Sequence, residues 1–190
     1  MNGNITQQVR ELISYHCKTW ELARTNYAAL DRVQSRQLMV NGYEVELQFN
    51  PERIRSSAAK IDKASLAARP CFLCEANRPG NQQWIDFGDE YQIIVNPYPI
   101  FPEHLTIPVR AHQDQCIRGR YADMLALAEA LDEFIVFYNG PKCGASAPDH
   151  MHFQAGSKGF LPLEVNWSLA FREEVKVKGQ SVLYALRDFL

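Results

Sequence analysis

The sequence predicts an α+β fold with a largely antiparallel sheet and flanking helices. Two segments carry apolar residues at helical spacing, one near the amino terminus and one in the second half of the chain. Between and after them, short apolar runs are separated by Gly, Asn and Pro residues, as in strands joined by turns. Helices that stand apart from runs of strands favour this class over a regular alternation of strand and helix.

The first elements follow from the spacing of apolar residues. Residues 5–33 repeat apolar side chains at helical intervals and predict one amphipathic helix. Residues 37–40 and 43–49 flank an Asn-Gly pair and predict a hairpin. Residues 50–68 are mostly polar and predict a connection between this hairpin and the rest of the sheet.

The remaining elements lie in the second half. Four further strands are predicted, at residues 84–87, 91–96, 104–109 and 150–155. Residues 121–138 predict a helix that ends at an Asn-Gly stop signal. Residues 182–190 predict a short terminal helix.

Length and composition limit the class of protein. With 190 residues, 46% of them apolar, the chain can bury a core, and we expect one domain over residues 1–190 with a helical arm at residues 1–33. A net charge of −2 without a long basic run argues against nucleic acid or a membrane surface as partner. The amino terminus lacks an apolar leader, and no segment is long enough to span a bilayer. Five cysteines, an odd number that includes a CxxC pair, fit a reducing compartment, so we expect a cytoplasmic protein.

The most informative stretch reads Asp-His-Met-His-Phe-Gln. In an extended strand, His150, His152 and Gln154 project to one face, and the intervening Met and Phe project to the other. A buried face with two imidazoles and a carboxamide is costly unless each group has a partner, so we expect this face to line a site. The alternative is that each histidine is a satisfied structural group, as single buried histidines commonly are.

A Gly-rich loop directly before this strand strengthens the prediction of a site. Residues 139–148 read Asn-Gly-Pro-Lys-Cys-Gly-Ala-Ser-Ala-Pro. Such a loop can present backbone N–H groups to an anion. We therefore expect substrate contacts from Asn139 and from the run Gly144, Ala145 and Ser146.

A CxxC pair precedes the predicted sheet. Cys71 and Cys74 have the spacing that lets two sulfurs reach one tetrahedral metal from a tight turn. A single CxxC is only moderately specific, because a redox dithiol or a pair of buried thiols shows the same pattern.

Together these motifs resemble the transferase branch of the histidine triad (HIT) superfamily. This branch includes galactose-1-phosphate uridylyltransferases, diadenosine tetraphosphate phosphorylases and GDP-L-galactose phosphorylases. The present sequence is similar to this branch in having His-x-His-x-Gln, whereas hydrolase members of the superfamily have a third histidine at the position of this glutamine. Residues 102–112, Pro-Glu-His-Leu-Thr-Ile-Pro-Val-Arg-Ala-His, are similar to the HIT segment in which an apolar strand lies between two histidines. The resemblance covers residues 69–156 and implies a HIT-like α+β fold.

The resemblance implies a nucleotidyltransferase or phosphorylase that acts on a nucleotide sugar or a dinucleoside polyphosphate. His152 would be the nucleophile that forms a nucleotidyl-histidine, with Gln154 and His150 completing the catalytic group. Inorganic phosphate or a sugar phosphate would be the acceptor. Asn77 and Arg78 lie in the region that binds the base and ribose in relatives. A HIT-type hydrolase and a catalytically silent, zinc-stabilised nucleotide-binding module are the alternative functions.

The resemblance also implies a structural zinc ion held by Cys71, Cys74, His104 and His150. Four protein ligands would close such a site to water, so the metal would stabilise the fold and not act on the substrate. Relatives commonly form dimers, which makes a homodimer compatible with the resemblance. Relatives usually continue further past the triad, so we expect acceptor specificity to depend on sequence or a partner beyond this chain.

Overall fold

The computed structural model describes residues 4–53, 60–162, 164, 172–179 and 181–186. The chain forms two compact units, Met1–Gln34 with Phe49–Lys158, and Ser35–Gln48 with Gly159–Leu190. The predicted α+β class with a largely antiparallel sheet is confirmed. None of the helices in the described part of the chain is long and apolar enough to cross a lipid bilayer.

The chain begins with two helices, and most of the elements after them are strands. In chain order they are α1 (Ile5–Thr19), α2 (Glu21–Ala28), β1 (Gln34–Val40), β2 (Tyr43–Phe49), α3 (Lys63–Ala68), β3 (Trp84–Phe87), β4 (Tyr91–Val95), β5 (His104–Pro108), α4 (Tyr121–Ala130), β6 (Phe134–Phe137), β7 (His152–Ser157), β8 (Arg172–Lys178) and β9 (Ser181–Leu186). Short 3₁₀ turns lie at Ala29–Arg32, Pro51–Arg53 and Glu75–Asn77.

The first unit contains a five-stranded sheet in the order β3-β4-β5-β7-β6. Each neighbouring pair is antiparallel. The strand β7, which begins at His152, lies between two neighbours and pairs with β5 on one side and β6 on the other. This interior position fixes the main chain from which the side chains of the predicted site project.

The predicted amino-terminal helix is divided at Trp20, which adopts an extended conformation with φ −118° and ψ 106°. The hydroxyl of Thr19 donates a hydrogen bond of 2.9 Å to the carbonyl of Tyr15. Such side-chain bonds compete with helix continuation, and Trp20 is then buried beyond the break. The apolar spacing continues through Trp20, which is why the sequence indicates a single helix.

The residues predicted as a helical arm contribute to the core of the first unit. Val9, Leu12 and Ile13 of α1 are buried in the same apolar cluster as the sheet. Met151 and Phe153 are fully buried in that cluster, and they belong to the triad segment, residues 150–154 with the sequence His-Met-His-Phe-Gln. Their burial confirms the predicted alternation, in which the apolar residues of this segment face the core.

Residues 121–138 form a helix and then a strand, so the prediction of one helix is wrong. α4 ends at Ala130, and the run Phe-Ile-Val-Phe from Phe134 pairs with β7 as β6. β-branched and aromatic residues favour strands, but their positions here also continue the apolar spacing of a helix. Pairing with β7 decides between the two conformations.

The described residues of the second unit form two hairpins, β1 with β2 and β8 with β9. Asn41 and Gly42 join the first hairpin with φ values of 52° and 85°, which confirms the predicted Asn-Gly turn. β9 occupies part of the predicted terminal helix and pairs with β8, so that prediction is wrong at residues 182–186. The segment contains Val and Tyr, which favour strands, and is too short for its apolar spacing to be decisive. Residues 187–190 of that prediction lie outside the described residues.

Candidate active site and metal centre

The main chain holds the imidazole of His152 in one tautomer. Its Nδ1 lies 2.8 Å from the carbonyl oxygen of His150. Because a carbonyl only accepts hydrogen bonds, Nδ1 carries the proton and Nε2 keeps its lone pair. His152 is 4% exposed, and burial lowers its pKa below the ordinary value for histidine. The site therefore contains a neutral imidazole with a defined nucleophilic nitrogen.

A chain of hydrogen bonds orients the carboxamide of Gln154. The backbone N–H of Ile100 donates to Nδ1 of His104 at 3.1 Å, so the proton of this imidazole lies on Nε2. That Nε2–H donates to Oε1 of Gln154 at 2.9 Å. Gln154 thus uses its oxygen within the protein, and its NH₂ group is the end that can donate to a ligand. Gln154 and His152 alternate with the buried Phe153, so both lie on the face opposite the core.

The buried imidazole of His104 should make folding stability depend on pH. Burial, with a smaller effect from the cation of Arg53, lowers the pKa of His104 to about 4. In the unfolded chain a histidine titrates near 6.5, so between these values the unfolded state binds more protons. Stability therefore falls as pH is lowered from about 6.5 to about 4, by roughly 3 kcal/mol at 1.36 kcal/mol per pKa unit.

Urea denaturation at a series of pH values measures this dependence. The variant His104→Gln has no side chain that titrates at this position, so its free energy of unfolding should change less between about pH 7 and pH 4. A variant with the same pH dependence as the wild type would show that His104 is not held neutral.

Four side chains with metal-binding atoms meet near the start of β7. The ligand atoms of Cys71, Cys74, His112 and His150 all lie within 4.8 Å of one another. Nδ1 of His150 lies 3.3 Å from the sulfur of Cys71 and 3.5 Å from that of Cys74. Nδ1 of His112 lies 3.3 Å from the sulfur of Cys74. Two sulfurs and two imidazole nitrogens form a donor set suited to a tetrahedral metal ion, so this group could hold one.

The tautomer of His150 suits a metal ligand. Its Nε2 lies 2.8 Å from the carbonyl oxygen of Val109 and therefore carries the proton. Nδ1 then directs a lone pair at the two sulfurs. In the metal-free form Nδ1 can accept the proton of the Cys71 thiol, and the resulting N–H, together with backbone N–H groups, stabilises the thiolate. Although burial opposes ionisation, these bonds hold the pKa of Cys71 below its ordinary value. A thiolate is the form of cysteine that binds metals.

The predicted ligand His104 is not part of this group, and His112 takes its place. His104 begins β5 and is bonded to Gln154, whereas His112 follows the end of β5. The rings of His112 and His150 are 5.2 Å apart between centroids. A strand advances about 3.3 Å per residue, so histidines at opposite ends of β5 cannot both reach the CxxC turn. The group that could hold a metal ion therefore contains His112 where the prediction had His104, and the other three predicted ligands are in the group.

Asn77 and Arg78, predicted as nucleotide contacts, bond to the CxxC turn. Nδ2 of Asn77 donates to the carbonyl of Cys71 at 2.9 Å. The buried Arg78 donates to the carbonyl of Leu73 at 3.0 Å and to Oε1 of Gln92 at 2.6 Å. These bonds hold the turn that presents the two thiols, and a nucleotide contact from either side chain stays a prediction.

The Gly-rich loop is anchored to the CxxC segment and to the segment after His112. Ser146 accepts a hydrogen bond of 3.0 Å at its carbonyl from Arg69, which also pairs with Asp149 at 3.2 Å. Gly144 has φ 87°, a conformation that favours glycine, and Ala145 is buried. At the start of the loop, the carbonyl of Asn139 accepts a bond of 2.8 Å from the side chain of Gln115.

Three residues that contact this region were not predicted from the sequence as part of the site. They are Arg69, His112 and Gln115. His112 belongs to the segment that carries the family resemblance, so the sequence did contain a signal for it. Arg69 and Gln115 act through bonds to residues far away along the chain, and no local pattern marks them.

Comparisons with known proteins agree with the fold. The chain matches the family model described as "Domain of unknown function (DUF4922)" over residues 12–157. It is similar to the crystal structure of yeast Ap4A phosphorylase Apa2 in complex with Ap4A, with a TM-score of 0.61 and 18% identity over 99% of this chain and 63% of that chain. A second structure of the same yeast enzyme gives a TM-score of 0.50 and 19% identity over 83% of this chain and 48% of that chain. Among curated proteins, none matches significantly.

The chain thus spans less than two thirds of the length of the yeast phosphorylase that it matches. The predicted HIT-like fold is confirmed by this likeness, which includes nearly all of the present chain. The family match covers residues 12–157, well over half of the 190 residues. The chain therefore belongs to the DUF4922 family and has the fold of the histidine triad transferases that its motifs resemble.

Proposed function

We propose that the protein is a nucleotidyltransferase of the phosphorylase type. It transfers a nucleotidyl group from a dinucleoside polyphosphate or a nucleotide sugar to phosphate or a sugar phosphate. The observation that supports this most directly is the hydrogen bond of 2.8 Å from Nδ1 of His152 to the carbonyl of His150, which reserves Nε2 for attack on phosphorus. The likeness to a phosphorylase solved with Ap4A makes Ap4A the first substrate to test.

The proposed reaction has two displacements at one phosphorus. Nε2 of His152 attacks the α-phosphorus, a P–N bond forms, and the P–O bond to the leaving phosphate breaks with its electron pair on oxygen. An oxygen of inorganic phosphate then attacks the same phosphorus and breaks the P–N bond, which returns the lone pair to Nε2. With Ap4A and phosphate the products are ATP and ADP. A covalent intermediate implies ping-pong kinetics.

Donors for the phosphoryl oxygens come from the strand and from the loop before it. The NH₂ group of Gln154 and the backbone N–H groups of Gly144, Ala145 and Ser146 would stabilise the charge that develops there. A carboxamide cannot release a proton as an imidazolium can. Phosphate leaving groups need less protonation than an amine, so Gln154 favours transfer between phosphates.

We infer that Cys71, Cys74, His112 and His150 hold a zinc ion. When bound, zinc would link the CxxC turn to the segment that contains His150 and His152, as a closed structural site. His150 connects the metal group with the nucleophile. Its side chain belongs to the metal group, and its carbonyl accepts a hydrogen bond from Nδ1–H of His152. The metal would therefore stabilise the orientation of the nucleophile without taking part in the displacement.

We also propose that residues 1–190 act as one functional domain in the cytoplasm. All five cysteines are free. Two of them belong to the metal group, which requires reduced thiols. Fractionation of the producing cells with antibody detection tests the location.

Intact-protein mass spectrometry tests the proposed reaction. The protein is exposed to Ap4A, GDP-hexoses or UDP-hexoses without phosphate and is quenched at alkaline pH, which preserves P–N bonds. We expect the mass of one nucleotidyl group to be added with one class of substrate. Addition of phosphate should remove the adduct and release a nucleoside diphosphate.

Two other results would support the alternative functions. A folded protein that binds nucleotide but forms no adduct with any of these compounds would be a silent binding module. An adduct that decays to nucleoside monophosphate at the same rate with or without phosphate would identify a hydrolase.

A further inference from the structure

The side chain of Gln115 makes three hydrogen bonds to the main chain of the site. Its Oε1 accepts from the N–H of His152 at 2.7 Å. Its Nε2 donates to the carbonyl of His152 at 3.0 Å and to the carbonyl of Asn139 at 2.8 Å. Gln115 is 3% exposed, so water does not replace these bonds if they are lost.

The main chain at His152 depends on Gln115 because the sheet does not supply the partner. The β6 register ends at Phe137 opposite Gln154, two residues beyond His152. On the other side, the N–H of Val109 donates to the carbonyl of Met151 at 3.0 Å, so Pro108 and His152 are a non-hydrogen-bonded pair, and the N–H and carbonyl of His152 point away from β5, toward the side where β6 has ended. In an antiparallel sheet, a hydrogen-bonded pair exchanges both an N–H and a carbonyl bond. The carboxamide of Gln115 makes the same exchange with His152 and replaces the missing strand neighbour.

Gln115 also fixes both ends of the Gly-rich loop. Its side chain bonds the carbonyl of Asn139, where the loop begins, and its backbone N–H donates to the carbonyl of Pro148 at 3.1 Å, where the loop ends. One residue therefore connects the nucleophile's main chain with both ends of the loop. The separation between His152 and the N–H groups of Gly144 to Ser146 depends on these bonds.

We propose that Gln115 is a positioning residue that sets the placement of the His152 imidazole relative to the loop. The inference rests on the proposed function, because it concerns nucleotidyl transfer at His152. A shift of the main chain at His152 also moves Nδ1 relative to the carbonyl of His150, and the lone pair of Nε2 turns with the ring. Displacement of a reacting group by about 1 Å can cost roughly 10²-fold in rate.

Two variants with different numbers of hydrogen bonds test this role. Gln115→Met keeps the length of the side chain and loses all three bonds. Gln115→Glu keeps the acceptor for the N–H of His152 and, once protonated, can donate to one carbonyl. We expect the single-turnover rate of His152 adenylylation by Ap4A, per folded protein, to fall roughly 10²-fold in Gln115→Met. The rate of Gln115→Glu should lie between this value and the wild type.

Gln113 offers a matched control in the same segment, because its side chain is exposed. Gln113→Met should keep the adenylylation rate within about twofold, as expected for a surface substitution. A rate per folded protein in Gln115→Met that also stays within about twofold would overturn the proposal.

A second measurement needs no turnover. In the wild type, ¹⁵N spectra of the imidazoles should show His152 as a single Nδ1–H tautomer, with AMP as the probe ligand. Gln115→Met should lose this single signal while the folded fraction, measured by near-ultraviolet circular dichroism, is retained. An unchanged His152 signal in the folded variant overturns the proposal whatever the rates. Absence of an adduct in the wild type would contradict the proposed function alone, and the spectra would still decide the role of Gln115.

Discussion

Replacement of His152 with alanine is expected to abolish nucleotidyl transfer. The phosphorolysis rate of Ap4A should fall by on the order of 10⁴-fold or more, as when a covalent nucleophile is removed from other enzymes. No adduct should appear in intact-protein spectra, since the proposed intermediate forms at Nε2 of this side chain. Binding of AMP, measured by calorimetry, should remain within about tenfold, because the phosphate contacts are assigned to Gln154 and the loop.

His16 provides a control for this experiment. It is another fully buried histidine, on α1, with a pKa that burial lowers. His16→Ala should keep its activity per folded protein, so that any loss follows the folded fraction. If His152→Ala failed to fold, His152 would be a structural residue and the proposed nucleophile would be wrong. Full activity in a folded His152→Ala variant would exclude the covalent mechanism.

The local part of the site could be predicted from the sequence. Alternation places His152 and Gln154 opposite the buried Met151 and Phe153, and this requires only that the segment be extended. The pairing of Cys71 with Cys74 follows in the same way from their spacing in one turn. Each of these relations involves residues that are close together along the chain.

Relations between distant residues could not be predicted in the same way. His104 and His112 stand at the two ends of one apolar run, and both match the expected type of ligand. Which one meets the CxxC turn depends on how β5 is placed against residues about 40 positions away, such as Cys74. The structure brings His112 to the turn and leaves His104 to orient Gln154.

Gln115 illustrates the same limit more strongly. Its side chain bonds the main chain of His152 and Asn139, and main-chain partners leave no residue-specific signal at their own positions. The prediction of secondary structure was wrong at β6 for a related reason. The run from Phe134 fits both the helical and the extended period, and its pairing with β7 selects the strand.

Removal of one metal ligand is expected to have the second large effect. Cys71→Ser should release the proposed zinc ion, because serine is a poor ligand for this metal. Structural zinc contributes about 10–16 kcal/mol in small zinc domains, which have little other core. The sheet here has its own apolar core, so we expect the variant to fold with a free energy of unfolding lower by about 4 kcal/mol or more. Elemental analysis and urea denaturation measure the two effects.

Cys116 is the matched control, because it is an exposed free cysteine outside the group. Cys116→Ser should keep both the metal and the stability of the wild type. A parent protein that contains no metal after purification from zinc-supplemented cells, together with an unchanged stability of Cys71→Ser, would contradict the zinc site. The CxxC would then be tested as a redox pair by reversible dithiol oxidation.

A pair of histidine variants decides which histidine, His104 or His112, is the fourth ligand beside Cys71, Cys74 and His150. His112→Ala should lose the metal as Cys71→Ser does, whereas His104→Ala should retain it and lose transfer activity. The reason is that His104 supports the carboxamide of Gln154, while His112 contacts the sulfur of Cys74. Loss of metal from His104→Ala alone would reverse the assignment. Loss of metal should also slow adenylylation of His152, because His150 serves both the metal group and the hydrogen bond that fixes the nucleophile.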